Sequence, residues 1–142
     1  MNNTSNLLYP IGRALLGVLF FVSGINKILA FSYVSGWMAS SGLPLASLLL
    51  VFTIAIEVGG GLMLITGVQA RLAAIVMALF LVPVTIVFHA FWNADAANFQ
   101  GQLTHFLKNL SILGGMLMVI ERERERSVAR ATSSRSTVKA AA

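Results

Sequence analysis

The sequence predicts an all-α integral membrane protein, a bundle of four transmembrane helices with both termini in the cytoplasm. Three observations carry this reading. Of the 142 residues, 57% are hydrophobic and only 11% charged, with a mean hydropathy of +0.83; a soluble chain this short is mostly water-facing surface and needs more charge. The apolar residues fall into four blocks of roughly 18 to 23 residues, near the ~20 needed to cross ~30 Å of hydrocarbon. The blocks also lack the alternating polarity of a barrel strand, and backbone groups in lipid must be satisfied within the segment, so the spans are helices.

The first block runs from Leu7 to Leu29. No positive charge precedes Arg13, and Arg13 interrupts what would be the apolar stretch of a leader, so this block reads as a span and not as a cleaved signal peptide. The second, Pro44 to Thr66, opens on a proline suited to a first helical turn and is punctuated by Gly42 before it and Gly67 after it. The third, Arg71 to Phe91, contains Pro83, which should kink the helix and free the carbonyl of Leu79. A polar stretch, Asn93 to Gln102, leads to the fourth block, Leu103 to Ile120. Residues 121–142 form a basic tail that begins ERERER; it is expected to extend the helix by a turn or two and then to be largely disordered.

Charge sets the orientation. Six of the ten basic residues, Arg122, Arg124, Arg126, Arg130, Arg135 and Lys139, lie in the tail, and Arg71 opens the third block. The positive-inside rule then places the C-terminus, and after four crossings the N-terminus, in the cytoplasm of a bacterial-type inner membrane. Trp37 and Trp92 fall on the opposite side, as interface anchors. Although the net charge is +5, its concentration in a juxtamembrane tail points to anionic lipid and argues against nucleic acid. The chain has no cysteine, which removes disulfides, thiolate metal sites and thiol relays. The run Gly59 to Gly61 lies inside an apolar helix with no strand before it, so it is no phosphate cradle, and no hydrolase or zinc-peptidase motif occurs.

Ionisable residues within the blocks carry the functional information, because a charge at mid-helix costs ~2.5 to 3.5 kcal/mol on insertion scales. Helical spacing puts Arg13, Gly17, Gly24 and Lys27 on one stripe of the first span and Thr53, Glu57, Gly60 and Gly61 on one face of the second. His105, Lys108 and Asn109 share a face of the fourth, with Gly115 further along. Small residues beside charged ones mark helix contacts, so these stripes should point inward. Counted from the block midpoints, Glu57, Arg13 and Lys108 lie within ~8 Å of the bilayer centre. Arg13, Glu57, Lys108 and Asn109 are therefore expected as an intramembrane polar network, with Arg13 pairing with Glu57. Asn26, Lys27, His89 and His105 fall ~10 to 14 Å outside the centre and are expected as a separate outer pocket. Such groups either bind a ligand or proton or only specify packing. No metal site is expected, and two histidines without further ligand spacing make haem a poor fit.

The segments GRALLGVLFFVSGINKI, EVGGGLMLITG, ARLAA, FH and FLKNLSILGG, in this order across four helices, resemble the DoxX family over about residues 10 to 120. By position the family pattern falls on Gly12, Arg13, Gly24, Lys27, Glu57, Gly60, His89, Lys108 and Asn109. The resemblance implies a four-helix inner-membrane protein, with some relatives tied to quinone-linked sulfur oxidation or to membrane complexes handling oxidative stress. The function expected is an accessory module of such a redox system, more a subunit than an enzyme on its own, with a polar cavity for a quinone-like ligand or a proton. Its partners are then the bilayer and either a membrane oxidoreductase or a second copy of the chain. Two alternatives stay open: a small solute transporter or permeability module, and a structural partner subunit without a ligand.

Overall fold

The computed structural model describes residues 5–140, and the surroundings of side chains for residues 7–134. Its helices are α1 (Ser5–Leu29), α2 (Phe31–Ser40), α3 (Ala46–Thr66), α4 (Ala70–Phe88) and α5 (Phe99–Ala140), with a 3-10 turn at Phe91–Asn93 between the last two. Among the described residues four helices, α1, α3, α4 and α5, are long and apolar enough to cross a membrane. Their outer faces are apolar and open: Leu8, Leu15, Leu79 and Met118 are all largely exposed. On a water-soluble monomer so extensive an apolar surface would aggregate, whereas acyl chains solvate it. The all-α membrane bundle read from the sequence is the fold.

Short links make the spans antiparallel neighbours. α3 stops at Gly67, whose φ of +82° and N–H bond to Met63 O (2.9 Å) form a left-handed cap. Gln69, at φ +49°, turns the chain into α4 within three residues. α4 then runs through Pro83 as one helix. Ala73, Ala74 and Ala78 are buried in the main core with Phe20, Leu64, Leu81 and Met116, so small α4 side chains let the neighbouring helices approach.

Two elements differ from the sequence expectation. The stretch after Leu29 contains α2, ten residues and so only ~15 Å long, too short to span. It leaves α1 at a bend on Ala30 (φ −108°, ψ 29°) and packs Met38 against Leu50 and Ala46 at the entrance to α3. α3 itself begins at Ala46, two residues beyond Pro44.

The second difference is the tail, which continues α5 as helix to Ala140. Alternating charges at i and i+3 pair along it, Glu121 with Arg124 at 3.4 Å, Arg122 with Glu125 at 3.0 Å and Glu123 with Arg126 at 3.3 Å. Each exposed pair is worth little, but extending an existing helix carries no nucleation cost, so small gains suffice. The last two residues, 141 and 142, lie outside the described residues. Asn109 packs beside Thr85, a register that sets Ala70 opposite Arg124. Beyond that point α5 runs ~24 Å past the bundle. The N-terminal end of α1 and this extension share one face of the bundle, here the terminal face; α2 marks the other.

Candidate functional site

Glycines set the register on which the site depends. A Cβ on Gly17 would lie 2.6 Å from Gly61 O, and one on Gly61 would lie 2.7 Å from Phe21 N, so α1 and α3 touch backbone to backbone. Gly24 sits likewise against Val58 and Glu57. The adjacent Gly60 faces Met77 of α4, and Gly115 of α5 faces Leu16 of α1. Opposing Gly17 to Gly61 displaces α1 by about five residues, or ~7.5 Å, toward the terminal face relative to matched block midpoints.

That displacement decides which cation meets Glu57. Lys27 Nζ donates to both carboxylate oxygens, at 3.0 and 2.9 Å, and to Ser23 Oγ at 2.7 Å. Helical side chains lean toward the N-terminus, so the ammonium reaches back a full turn to do this. The Glu57 side chain is only 7% exposed and that of Lys27 26%. The pair stands at mid-depth of α3.

Arg13, expected beside Glu57, lies at the terminal face instead. Its guanidinium rests on Gly67, where a Cβ would come 2.6 Å from Nη1, and pairs with Glu123 of α5 at 3.5 Å. Tyr9 donates to the same carboxylate (2.7 Å), and Arg126 lies 4.7 Å above the Tyr9 ring. The buried Arg13 Nε has no hydrogen-bond partner among the described residues. A cation at the C-terminal end of α3 is favoured there by the helix dipole. This cluster ties α1, α3 and α5 together, apart from the Glu57 region.

The residues assigned to two depths otherwise converge on one cavity of about 540 Å³ between α1, α4 and α5. Lys27, Glu57 and Asn26 contribute from one side, and His89, His105, Lys108 and Asn109 from the other. Phe20, Phe80, Leu81 and Ile112 supply apolar wall. α1 and α5 meet at Leu16–Gly115 and at Glu123, then part toward the α2 face, which leaves the cavity open sideways. Asn26, His105 and Lys108 are exposed at this opening.

Within the cavity the polar groups are unequally satisfied. Asn109 Nδ2 donates to Thr85 Oγ1 at 3.0 Å, and Thr85 donates to Leu81 O at 2.6 Å. The His89 and His105 rings stack with centroids 5.0 Å apart, and His89 Nδ1 lies 3.0 Å from Gln102 Oε1. Stacked rings turn faces, not nitrogens, toward each other, and among the described residues no three His, Asp or Glu side chains gather as a metal set. Lys108 makes no hydrogen bond or ion pair with any described residue, so the cavity carries one cation beyond the Lys27–Glu57 pair. Ser23, Thr85 and Gln102 were not singled out from the sequence. Ser23 and Gln102 were legible, lying four residues before Lys27 and three before His105; Thr85 carried no comparable signal.

The fold and cavity define a small membrane bundle of four spans with a polar, laterally open site. Residues 8–90 match the DoxX family, and the chain belongs to it. It is similar to the inner membrane protein YphA of Escherichia coli K12, 24% identical over 113 residues, which are 80% of this chain and 81% of that protein. It is also similar to the inner membrane protein YqjF of the same organism, 31% identical over 109 residues, 77% of this chain and 78% of that one. No solved structure matches the chain. Together the four spans and the relatives make it a multi-pass protein of the inner membrane.

Proposed function

We propose that this protein is an accessory module of a membrane redox or stress-response system, and that the cavity between α1, α4 and α5 takes a quinone-like ligand from the lipid. One observation carries the reading: the Lys27–Glu57 pair and the unpartnered Lys108 share with apolar side chains the wall of a space of about 540 Å³ that opens sideways between α1 and α5. Polar residues serving packing alone would close on one another and leave no such space. The volume falls within the ~300 to 1,000 Å³ of small-molecule sites. A flat ring with two carbonyl oxygens fits a site with aromatic and aliphatic walls and Lys108 and the second amide hydrogen of Asn109 as donors. An isoprenoid tail would leave between α1 and α5. When bound, a quinone supplies two-electron redox capacity; this chain binds and orients it, and electrons come from a partner oxidoreductase. The basic extension of α5 supports a cytoplasmic terminal face.

The test is quenching of intrinsic tryptophan fluorescence by a short-chain ubiquinone analogue, with the protein in nanodiscs. Saturable quenching is expected, weakened about tenfold in Lys108→Met, as for loss of one charge-assisted hydrogen bond. Quenching that never saturates, or that is identical in the variant, counts against the site.

A further inference from the structure

The Lys27–Glu57 pair has a second side. Beneath α2 lies a chamber of about 170 Å³, lined by Lys27, Glu57, Thr53 and His89 and covered by Trp37 and Met38. It shares Lys27, Glu57, Phe80, Val84 and His89 with the larger cavity, so the ion pair stands as a partition between the two spaces. Thr53 is one turn from Glu57 toward the α2 face, and its hydroxyl makes no hydrogen bond with any described residue. Trp37, stacked on Phe88 at 4.8 Å and half exposed, forms the α2 wall of the chamber with Val34 and Met38.

Water fits such a space on two counts. The volume would hold about five molecules at ~30 Å³ each, and four polar side chains match the two to four partners that a buried water needs. A chamber meant only to pack α2 on α3 would have no reason to hold an ammonium, a carboxylate and a free hydroxyl in its wall.

We propose that this chamber is a hydrated branch through which Glu57 exchanges a proton with water at the α2 face. In the forward step an O–H bond of hydronium breaks, an O–H bond forms on one Glu57 carboxylate oxygen, and water is left; Lys27 keeps its bond to the other oxygen. Lys27 from α1, His89 beyond α4, and Lys108 and His105 from α5 are the charged and titratable groups facing the carboxylate region; α2 contributes none. The lipid-side cavity would then meet a site whose proton comes from one compartment. This consequence rests on the proposed ligand, whereas the water route does not.

Because the chain has no cysteine, a single introduced thiol reports access without background. In sealed vesicles of Thr53→Cys, a membrane-impermeant cationic thiosulfonate is expected to react from the α2 face and not from the terminal face. Adding Trp37→Ala should speed the reaction about threefold or more, since it removes an aromatic stack. Phe52→Cys, exposed on α3 and in the wall of neither the chamber nor the larger cavity, should stay unreactive. A Thr53→Cys rate no greater than that of Phe52→Cys overturns the proposal; should Thr53→Cys fail to fold, Val34→Cys on the α2 wall of the chamber takes its place in the same comparison. Proton exchange is read by infrared spectroscopy as a carboxylic-acid band that rises when the α2-side buffer is acidified and is missing in Glu57→Gln. Blocking the introduced thiol of Thr53→Cys should slow that rise about tenfold or more, and an unchanged rise overturns the route. Labelling needs no ligand, so saturable quinone quenching could be absent with Thr53→Cys still reactive, which discards the quinone reading and leaves the water branch standing.

Discussion

Replacing Lys27 by Met leaves the Glu57 carboxylate, 7% exposed, without its cation. Breaking a buried pair by removing one partner costs about 3 to 5 kcal/mol. Lys27 is a quarter exposed and borders an open cavity, so the lower end, about 3 kcal/mol, is expected, roughly a hundredfold in the unfolding equilibrium. Glu57→Gln keeps an acceptor for the ammonium and should cost about 1.5 kcal/mol. The double variant has neither unpaired charge, and its cost should fall about 2 kcal/mol short of the sum. Arg13 lies at the level of Gly67, ten residues along α3 from Glu57, or ~15 Å away. Arg13→Met and Glu57→Gln should therefore add within ~0.5 kcal/mol. Reversible unfolding from mixed micelles, followed by tryptophan fluorescence, measures both cycles. Additivity for Lys27 with Glu57, or coupling of about 2 kcal/mol for Arg13 with Glu57, would refute the register derived from the glycines.

Three further outcomes follow from the same contacts. Gly61→Ala, whose Cβ would lie 2.7 Å from Phe21 N, should cost about 2 to 3 kcal/mol by forcing α1 from α3, whereas Gly59→Ala, with nothing within 4 Å, should be neutral or stabilising in the same assay. Truncation after Ile120 removes Glu123 and leaves Arg13 unpaired, so it should lower the unfolding midpoint as Glu123→Gln does, while truncation after Arg126 should leave it unchanged. At the exposed Asp95, the Asn98 backbone N–H (2.9 Å) and then its side-chain amide hold the carboxyl below its ordinary pKa. A depressed folded value means that the turn's contribution is present above the unfolded pKa, ~3.9, and is lost as pH falls through the folded value below it. Protection at the first turn of α5, read as hydrogen exchange relative to the intrinsic rate at each pH, should accordingly fall from about pH 4 downward in the wild type, and Asp95→Asn should abolish that fall.

The spans were legible because lipid enforces length and apolarity, and the inward faces because charge and glycine recur at helical spacing. Relative depth was not legible. Matching block midpoints placed Arg13 near Glu57 and Lys27 in a separate outer group, and a slide of about five residues, set by Gly17 on Gly61, exchanges the two cations. The same slide merges the two expected groups, less Arg13, into one cavity. α2 carries little sequence signal because ten residues of mixed Ser, Gly and aromatic character have neither the length of a span nor a clear period. The tail's continuation as helix rests on weak i, i+3 pairs added to an existing helix, a cooperative effect that composition alone does not show.

The proposed ligand role requires that the space between α1, α4 and α5 hold a lipid-soluble molecule in the membrane. Native mass spectrometry of the protein released from its own membranes answers this: the wild type should carry a lipophilic adduct of quinone mass, and Ile112→Trp, which fills the cavity from α5, should emerge without it. A wild-type protein that emerges bare, or an adduct that survives Ile112→Trp undiminished, would contradict quinone binding in this cavity.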